Sequence, residues 1–518
     1  MNRAENNLFV GKETYPMCLV ENTSEQLNQT DLALLKLKKE AENEPSLKFV
    51  NELKAENLDG IYIYLVGGAV RDEILGLESN DYDLLVEGLS QNKLSDFLEK
   101  HGKIISDSDV STGIYKFIPK GSNEVIDVAL PRVEEYDFQS RKPSEVDVSN
   151  ISVEEDLSRR DLTINSLALE IFSGDKLNLV DPYGAMTDIE NKVIRSVGDP
   201  FDRFNEDPLR ILRAAKFACK LNFSIAEETL DAMKSSSGLI NQSYTDQVNN
   251  LKRRVSVERI QKEISNGLEC DANKFIKILN ATDLLSEVFP DIEKLKGVEQ
   301  SLEHHSEGDV FIHTMRVLEN IPNEAPLCVK LAGLFHDIGK FSTTKKDENG
   351  KISAHDHEKA SAADTELALR QLKFPNEIID KVVWLVENHM RINYVLQMSP
   401  GKRVKLMSNP LFKDLITLGR ADDEARIRSN GTNESEFYDE ICRVMDKIDD
   451  KKEITNKNAI NGNDIMSVMK ELGIPNSEKS KIINPLKEHI NGLFVEGVIS
   501  TKDQAMEIIL DYLKNYKI

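Results

Sequence analysis

Hydrophobic and polar positions follow two different periods along this chain, and the change of period marks its organisation. "DLALLKLKKEAE" (31–42) spaces its apolar residues for a helix, inside a polar first stretch, 1–59, that carries no recognisable chemistry. From Ile61 the pattern turns β-rich. "IYIYLV" (61–66) reads as a strand ending at Gly67 and Gly68, "AVRDEILG" (69–76) as a short helix closed by Gly76, and "YDLLVEG" (82–88) as a second strand. "GIYKFIPK" (113–120) and "EVIDVAL" (124–130) read as two further strands around a turn at "GSNE". Ser152 and Glu155 have the spacing of a capping box, so a helix is expected to begin there. "LALEIF" (167–172) and "LNLVDPYG" (177–184) return to strand and turn, and 60–190 is expected to be a small mixed α/β unit.

After Val193 the period is helical almost throughout. "DPLRILRAAKFACKL" (207–221) opens with Asp207 as the expected N-cap and Pro208 in the first helical position. "AEETLDAMKSSS" (226–237), "SVERIQKEISNGL" (256–268) and "DANKFIKILNATDLL" (271–285) continue as amphipathic helices, giving a helical unit over 191–300. A further unit, 301–445, is marked by histidines: seven of the nine fall between His304 and His389. The charged run "DKIDDKKEITNKN" (446–458) reads as a linker or loop, and the remainder of 446–518 as a helical tail. The expected class is therefore α+β, a mixed α/β head followed by helical units, without internal repeats.

Composition narrows this picture in three ways. At 518 residues, with 40% hydrophobic and 30% charged residues, the chain is expected to form several folded domains rather than remain disordered. No apolar run approaches the ~18 residues of a membrane span, and the first residues lack the apolar core of a signal peptide. Cys18, Cys219, Cys270, Cys328 and Cys442 are scattered and never form a C-x-x-C pair, which points to a reducing compartment, the cytoplasm, and away from a Cys-bound zinc. The net charge of −23 opposes any nucleic-acid role unless basic surface is gathered locally. "RILRAAKFACK" (210–220), "LKRRVSVERIQK" (251–262) and "GKRVKL" (401–406) are the candidates for such a surface.

The chemistry concentrates in "LVGGAVRDEILGLESNDYDLL" (65–85). Asp81 and Asp83 lie two apart on an expected strand, so both leave the same face. Such a pair can share hard divalent cations, with Mg²⁺ favoured by all-oxygen ligation. Asp127 in "EVIDVAL" stands where a third carboxylate on a neighbouring strand would complete a two-metal site for phosphoryl displacement. Gly67 and Gly68 let backbone N–H groups approach phosphate oxygens, and Arg71 adds a fork of donors. Asp207 and Arg210, three apart, share a helix face. Cytosine and adenine each present an amino donor beside a ring-nitrogen acceptor, which an Asp acceptor beside an Arg donor complements. Uracil and guanine present the reverse pattern.

These residues resemble the signature of the class II tRNA nucleotidyltransferases and bacterial poly(A) polymerases. "DLSRRDLTINSLA" (156–168) is similar to the family's ribose-reading segment, in which Arg160, Asp161 and Asn165 match. "LVDPYGAMTDIENKVIRSVG" (179–198) resembles its hinge, "FNEDPLRILRAAKFA" (204–218), with Arg213, its base-reading helix, and "SVERIQKE" (256–263) its last neck motif. The resemblance implies template-independent addition of C, C and A to the tRNA acceptor end from CTP and ATP, with Mg²⁺ in the head. It leaves open a poly(A) polymerase and an enzyme adding only CC or only A. An inactive RNA-binding scaffold is disfavoured by the intact Asp81, Asp83 and Asp127.

"FIHTMRVL" (311–318), "LFHDIGK" (334–340), "HDH" (355–357) and "ENH" (387–389) fall in the order of an HD-type metal phosphohydrolase. His313, His336, Asp337 and, in "GRADDEAR", Asp422 match its ligands, with His355, His357 and His389 as further candidates. The donor set favours a divalent transition metal or Mg²⁺. The resemblance implies phosphodiesterase or phosphatase work on ends such as 2′,3′-cyclic phosphates. "NAINGNDIMSVMKELGIP" (458–475) resembles the C-terminal segment of CCA-adding enzymes, although its Gly-rich continuation is here "NSEKSKIINP". Nothing in the sequence sets the oligomeric state.

Overall fold

The computed structural model describes residues 19–20, 28–55, 60–78, 82–105, 109–136, 143–174, 176–245, 250–301, 308–426, 435–457 and 460–516. The chain divides into two compact units, the first comprising 1–267 with 281–287 and the second 268–280 with 288–518. A mixed α/β head and a largely helical remainder make up the expected α+β class. No helix of the described residues is long and apolar enough to cross a membrane.

The first unit is built on an eight-stranded sheet. Its strands are Leu19–Val20 (β1), Tyr62–Val66 (β2), Asp83–Glu87 (β3), Gly102–Ile104 (β4), Ile114–Pro119 (β5), Ile126–Ala129 (β6), Ala168–Ile171 (β7) and Leu177–Val180 (β8). They lie in the order β1-β8-β7-β2-β3-β6-β5-β4, with β3 and β6 parallel and the other pairs antiparallel. Both faces of the central strands are covered, since Ile63, Tyr64, Leu65 and Val66 are all buried. Val153 and Leu157 pack with Tyr64, Val66, Leu85 and Ala168. They belong to a short helix, Val153–Ser158, that opens with the expected Ser152–Glu155 capping box.

The helix Gln29–Asn43 (α1) and the turn after β7 tie the first stretch of the chain into this unit. Leu34, Leu37, Lys38 and Ala41 form the buried stripe of α1. The Lys38 ammonium donates to Ser173 Oγ at 2.7 Å and to the carbonyls of Gly174 and Lys176. Phe172 adopts a positive φ of 59°. Its N–H is held by Glu42 at 2.7 Å and its carbonyl by Lys54 at 2.9 Å. The described part of 1–59 is thus an edge strand and a cover of the head sheet.

The helix Gly68–Ile74 (α2) follows β2, and Leu209–Lys220 (α3) carries the segment read above as base-reading. Asp207 keeps an extended backbone and its carboxylate accepts from Leu209 N–H at 3.0 Å, so it caps α3 as expected. Val257–Ala281 (α4) is broken at Asp271, whose carboxylate accepts from Lys274 N–H and restarts the turn. Three short hairpins or strand pairs interrupt the expected all-helical stretch, at 193–194 with 224–225, 243–245 with 251–253, and 344–346 with 352–354.

In the second unit, Val310–Asn320 (α5), Leu327–Phe335 (α6), His357–Gln371 (α7), Asn376–Asn388 (α8) and Phe412–Ala425 (α9) pack into a bundle. The expected linker at 446–458 is, over 446–457, the second half of a helix, Ser435–Lys457 (α10), and Asn458 lies outside the described residues. Tyr438, Ile441, Met445 and Ile448 are buried at spacings of three and four, so α10 is nucleated upstream by packing. Lys and Glu then sustain it, because they are good helix formers however charged. Gly462–Glu471 (α11), Lys479–Glu496 (α12) and Lys502–Lys514 (α13) enclose a core of their own around Ile465, Ile490 and Ile509.

Candidate active sites

Parallel pairing of β3 with β6 sets Asp83 against Asp127 in register, so two carboxylates leave the same face of adjacent strands about 5 Å apart. Asp127 is also opposite Lys116 on β5, and their side chains meet at 3.2 Å. Asp81 lies outside the described residues.

Asp83 opens onto a cleft of about 800 Å³. Of the expected residues, Gly67, Gly68, Arg71, Arg160, Asp161, Asn165, Asp207, Arg210 and Arg213 also line it. Gly67 adopts φ +71°, and a Cβ there would meet Arg160 Nη1 at 3.1 Å, so glycine lets the guanidinium lie over the turn. Arg71 is buried, donates to Asp72 at 2.7 Å and to Asn165 Oδ1, and lies 5.1 Å from the Phe217 ring centroid. Its guanidinium is therefore held in place on the cleft wall.

Asp161 connects two elements. One oxygen accepts from Leu162 N–H at 2.9 Å and Asn165 Nδ2 at 3.2 Å, and the other takes both Nε and Nη2 of Arg213 at 2.6 Å. Burial alone would raise this carboxyl, but Arg213 and the Asn165 hydrogen bond hold it at about 2. A carboxylate held below its unfolded value near 3.9 stabilises the fold fully above that pH, and the contribution drains away as pH falls towards 2. Arg213→Ala should remove roughly 2 kcal/mol at pH 7 and flatten the fall in stability between about pH 4 and 2. Urea unfolding of the nucleotide-free protein across that range measures it, and an unchanged slope would contradict the assignment.

Arg210 is buried, held by Glu206 at 2.6 Å and by the Arg159 carbonyl at 2.8 Å. Arg159 in turn is anchored on Asp156 at 2.6 Å and Glu134 at 3.1 Å. Lys220, Arg259 and Lys262, from the basic stretches 210–220 and 251–262, also line the cleft, as do Arg159, Phe217 and Glu263, which no sequence signal marked individually. Phe217 was findable, being four and seven residues on from Arg213 and Arg210 on one helix face. Eight Arg and Lys side chains against four Asp and Glu line this cleft, so an acidic chain gathers positive charge where an anion would enter.

The other basic stretches divide. Arg259 and Lys262 reach the cleft, but Arg254 is buried and bound to Gln242 Oε1 and Asn205. In 401–406, Lys405 pairs with Glu488 at 3.0 Å.

In the second unit the histidines converge on Asp337. His336 Nε2 lies 3.1 Å from Asp337 Oδ2, His357 Nε2 lies 3.2 Å from Oδ1, and His389 Nε2 lies 3.9 Å from Oδ1. His313 Nε2 meets Asp422 Oδ1 at 3.0 Å. The Nδ1 atoms of His336, His357 and His389 are paired with the carbonyls of Gly333, Ala354 and Val386 at 2.7–2.9 Å. Donation there leaves Nε2 as the lone-pair nitrogen, aimed at the carboxylates. Among these, His336 and His357 Nε2 are buried without a hydrogen-bond partner.

Burial pushes the His389 imidazole down to about 3, with His336 adding to the effect. Burial would raise Asp337 and Asp422, yet the neighbouring cations hold both well below the usual carboxylate range. Ionised carboxylates ringed by imidazole nitrogens, two of them buried without a hydrogen-bond partner, suit a divalent metal. Among the described residues two donor groups form, His313–His336–Asp337 and Asp337–His357–His389, and Asp337 is common to both. His355, two residues from His357, is exposed and joins neither group. A cavity of about 420 Å³, lined by Gln300, Lys340, Tyr394 and Arg426 among others, opens on the cluster.

Residues 63–195 match the poly A polymerase head domain, and 303–449 match the HD domain. The multifunctional CCA protein of Aromatoleum aromaticum is 33% identical over 350 residues, covering 67% of this chain and 78% of the relative. That of Polaromonas naphthalenivorans is 35% identical over 357 residues with the same coverage, and that of Legionella pneumophila (strain Paris) 32% over 400 residues, 74% and 90%. Among solved structures, the Bacillus stearothermophilus CCA-adding enzyme in complex with CTP has a TM-score of 0.60 at 20% identity, covering 94% of this chain and 98% of that one. A CCA-adding enzyme with ATP gives 0.55 at 19%, covering 95% and 96%. The Thermotoga maritima enzyme complexed with tRNA gives 0.53 at 20%, covering 94% and 97%. The structural likeness at that identity shows a common fold, whereas a third of residues identical across more than three quarters of each curated relative shows descent: the chain belongs to the multifunctional CCA protein family.

Proposed function

We propose that this chain adds C, C and A to tRNA 3′ ends from CTP and ATP, with 60–190 as the transferase head and 191–300 as the neck that selects nucleotides. The observation that carries the reading is Asp83, in register with Asp127 on the next strand, opening onto a cationic cleft that also holds Asp207 and Arg210. Asp81, Asp83 and Asp127 would hold Mg²⁺, which supplies charge neutralisation and a more acidic attacking hydroxyl. Asp207 accepts from the amino group of C or A, and Arg210 donates to the adjacent ring nitrogen. Arg160 and Lys220 balance triphosphate charge, while Asp161 sets Asn165 against the ribose and fixes Arg213 beside it. Arg259 and Lys262 extend the cationic surface for the acceptor end, bound through backbone and shape. Among the described residues Cys328 and Cys442 are not disulfide-bonded, which accords with action in the cytoplasm.

Purified protein given tRNAs ending before CCA, before the last A, and complete, each with single labelled nucleotides, tests this. Stepwise C, C, A addition and a stop are expected, and long A tails would sink the reading. In the same assay Arg210→Ala should lower the preference for C and A over U and G about 10- to 100-fold, from one or two lost hydrogen bonds. Unaltered selectivity would remove Arg210 from base reading.

A second reading rests on the unpartnered imidazole nitrogens: the 301–445 unit is a phosphohydrolase, acting on ends such as 2′,3′-cyclic phosphates. Its metal, Mg²⁺ or a divalent transition metal, would be held by His313, His336, Asp337, Asp422, His357 and His389, and would supply an activated water. Lys340 and Arg426 hold Asp337 and Asp422 ionised.

A further inference from the structure

Gln300, on the segment just ahead of α5, is only 6% exposed and lines the cavity over the histidine cluster. Its carboxamide is fixed at one end, where Oε1 accepts from Lys340 Nζ at 2.8 Å. The same ammonium reaches Asp337 Oδ2 at 2.7 Å. Lys340 can only donate, so the oxygen of the amide must face it and the NH₂ must face away. That Nε2 is buried and has no hydrogen-bond partner. A buried amide donor left unmatched is costly, and the cost is removed when an acceptor arrives.

We propose that Gln300 is a substrate-binding residue of this cavity, donating from Nε2 to a non-bridging oxygen of a phosphoryl group held at the cluster. The proposal rests on the phosphohydrolase reading for its biological sense, but the contact itself is a matter of anion binding. The chain Asp337–Lys340–Gln300 passes orientation outward from the carboxylate to the amide. An aliphatic side chain could not donate, and a carboxylate in its place would still satisfy Lys340 while repelling the anion.

The test is calorimetric titration of inorganic phosphate into the full-length, Mn²⁺-loaded protein, with CTP in excess to fill the head cleft. Gln300→Ala should weaken phosphate about 10- to 100-fold, the loss of one hydrogen bond to a charged acceptor. Gln300→Glu should weaken it at least as much, although Lys340 keeps its acceptor. If Gln300 merely anchors Lys340, Gln300→Glu binds phosphate as the unsubstituted protein does, and the proposal falls. Absence of phosphate binding to the unsubstituted protein also overturns it. Hydrolysis of 2′,3′-cyclic AMP, measured separately, distinguishes the two ideas. Hydrolysis with phosphate affinity indifferent to Gln300 keeps the phosphohydrolase and rejects the contact. Gln300-dependent phosphate binding without hydrolysis keeps the contact and rejects the enzyme.

Discussion

Asp83→Asn should cut incorporation of labelled CTP into a tRNA ending before CCA by about a hundredfold to a thousandfold, while phosphate binding at the histidine cluster stays as before. The size follows from the several kcal/mol that metal-assisted charge stabilisation contributes to phosphoryl transfer, at about 1.4 kcal/mol per decade. The direction follows from register. Asp83 is paired with Asp127 across β3 and β6, and of the two it is Asp83 that lines the cleft, so Asp127 does not duplicate its charge there. Asn has the same shape but offers a weaker, neutral ligand. Single-turnover rates with the three tRNA substrates measure the effect, and circular dichroism checks the fold. Activity within about threefold of the unsubstituted protein would mean that chemistry occurs away from this strand pair.

Asp337→Ala carries the second large expectation, because this carboxylate belongs to both donor groups. Bound metal, read by elemental analysis after dialysis, should fall to near zero in this variant. His313→Ala and His389→Ala each touch one group and should each leave part of the metal behind. Loss of a group that merely supports a ligand typically costs about 10–100-fold in metal affinity, and loss of a ligand shared by both groups costs more, so the partial variants are distinguishable from the complete one. The prediction fails if Asp337→Ala retains as much metal as either histidine variant. Nucleotide addition in the head should be indifferent to all three.

Local motifs carried most of the chemistry into view. Gly67 to Asp83, Arg160 to Asn165, and His336 with Asp337 are short runs, and each holds several groups whose spacing matters. Pairing across distance was less visible. That Asp127 sits opposite Asp83 depends on a parallel ladder between strands separated by two others in sequence, and no local period encodes it. His355 and His357 were indistinguishable in "HDH" because two residues of loop and helix start do not define a face. Only the placement of α7 buries one and exposes the other. The run 446–458 misled because charge was taken as a sign of loop, although Lys, Glu and Asp tolerate a helix already started by buried Tyr438 and Ile441. Lys38 had a readable signal: it falls on the same stripe as Leu34, Leu37 and Ala41, where a charge has to find partners.

Those partners bear on how the protein is made. Lys38 is 135 to 138 positions upstream of the oxygens that receive it, and Ile63 is paired with Ile171 in the middle of the sheet. At about 5–20 residues per second, α1 is synthesised roughly 7–27 s before the turn it closes. Through that interval its apolar stripe has no native surface to cover, and the central strand β2 has a free flank. The head should therefore fold late and as one event, once the turn after β7 has been made.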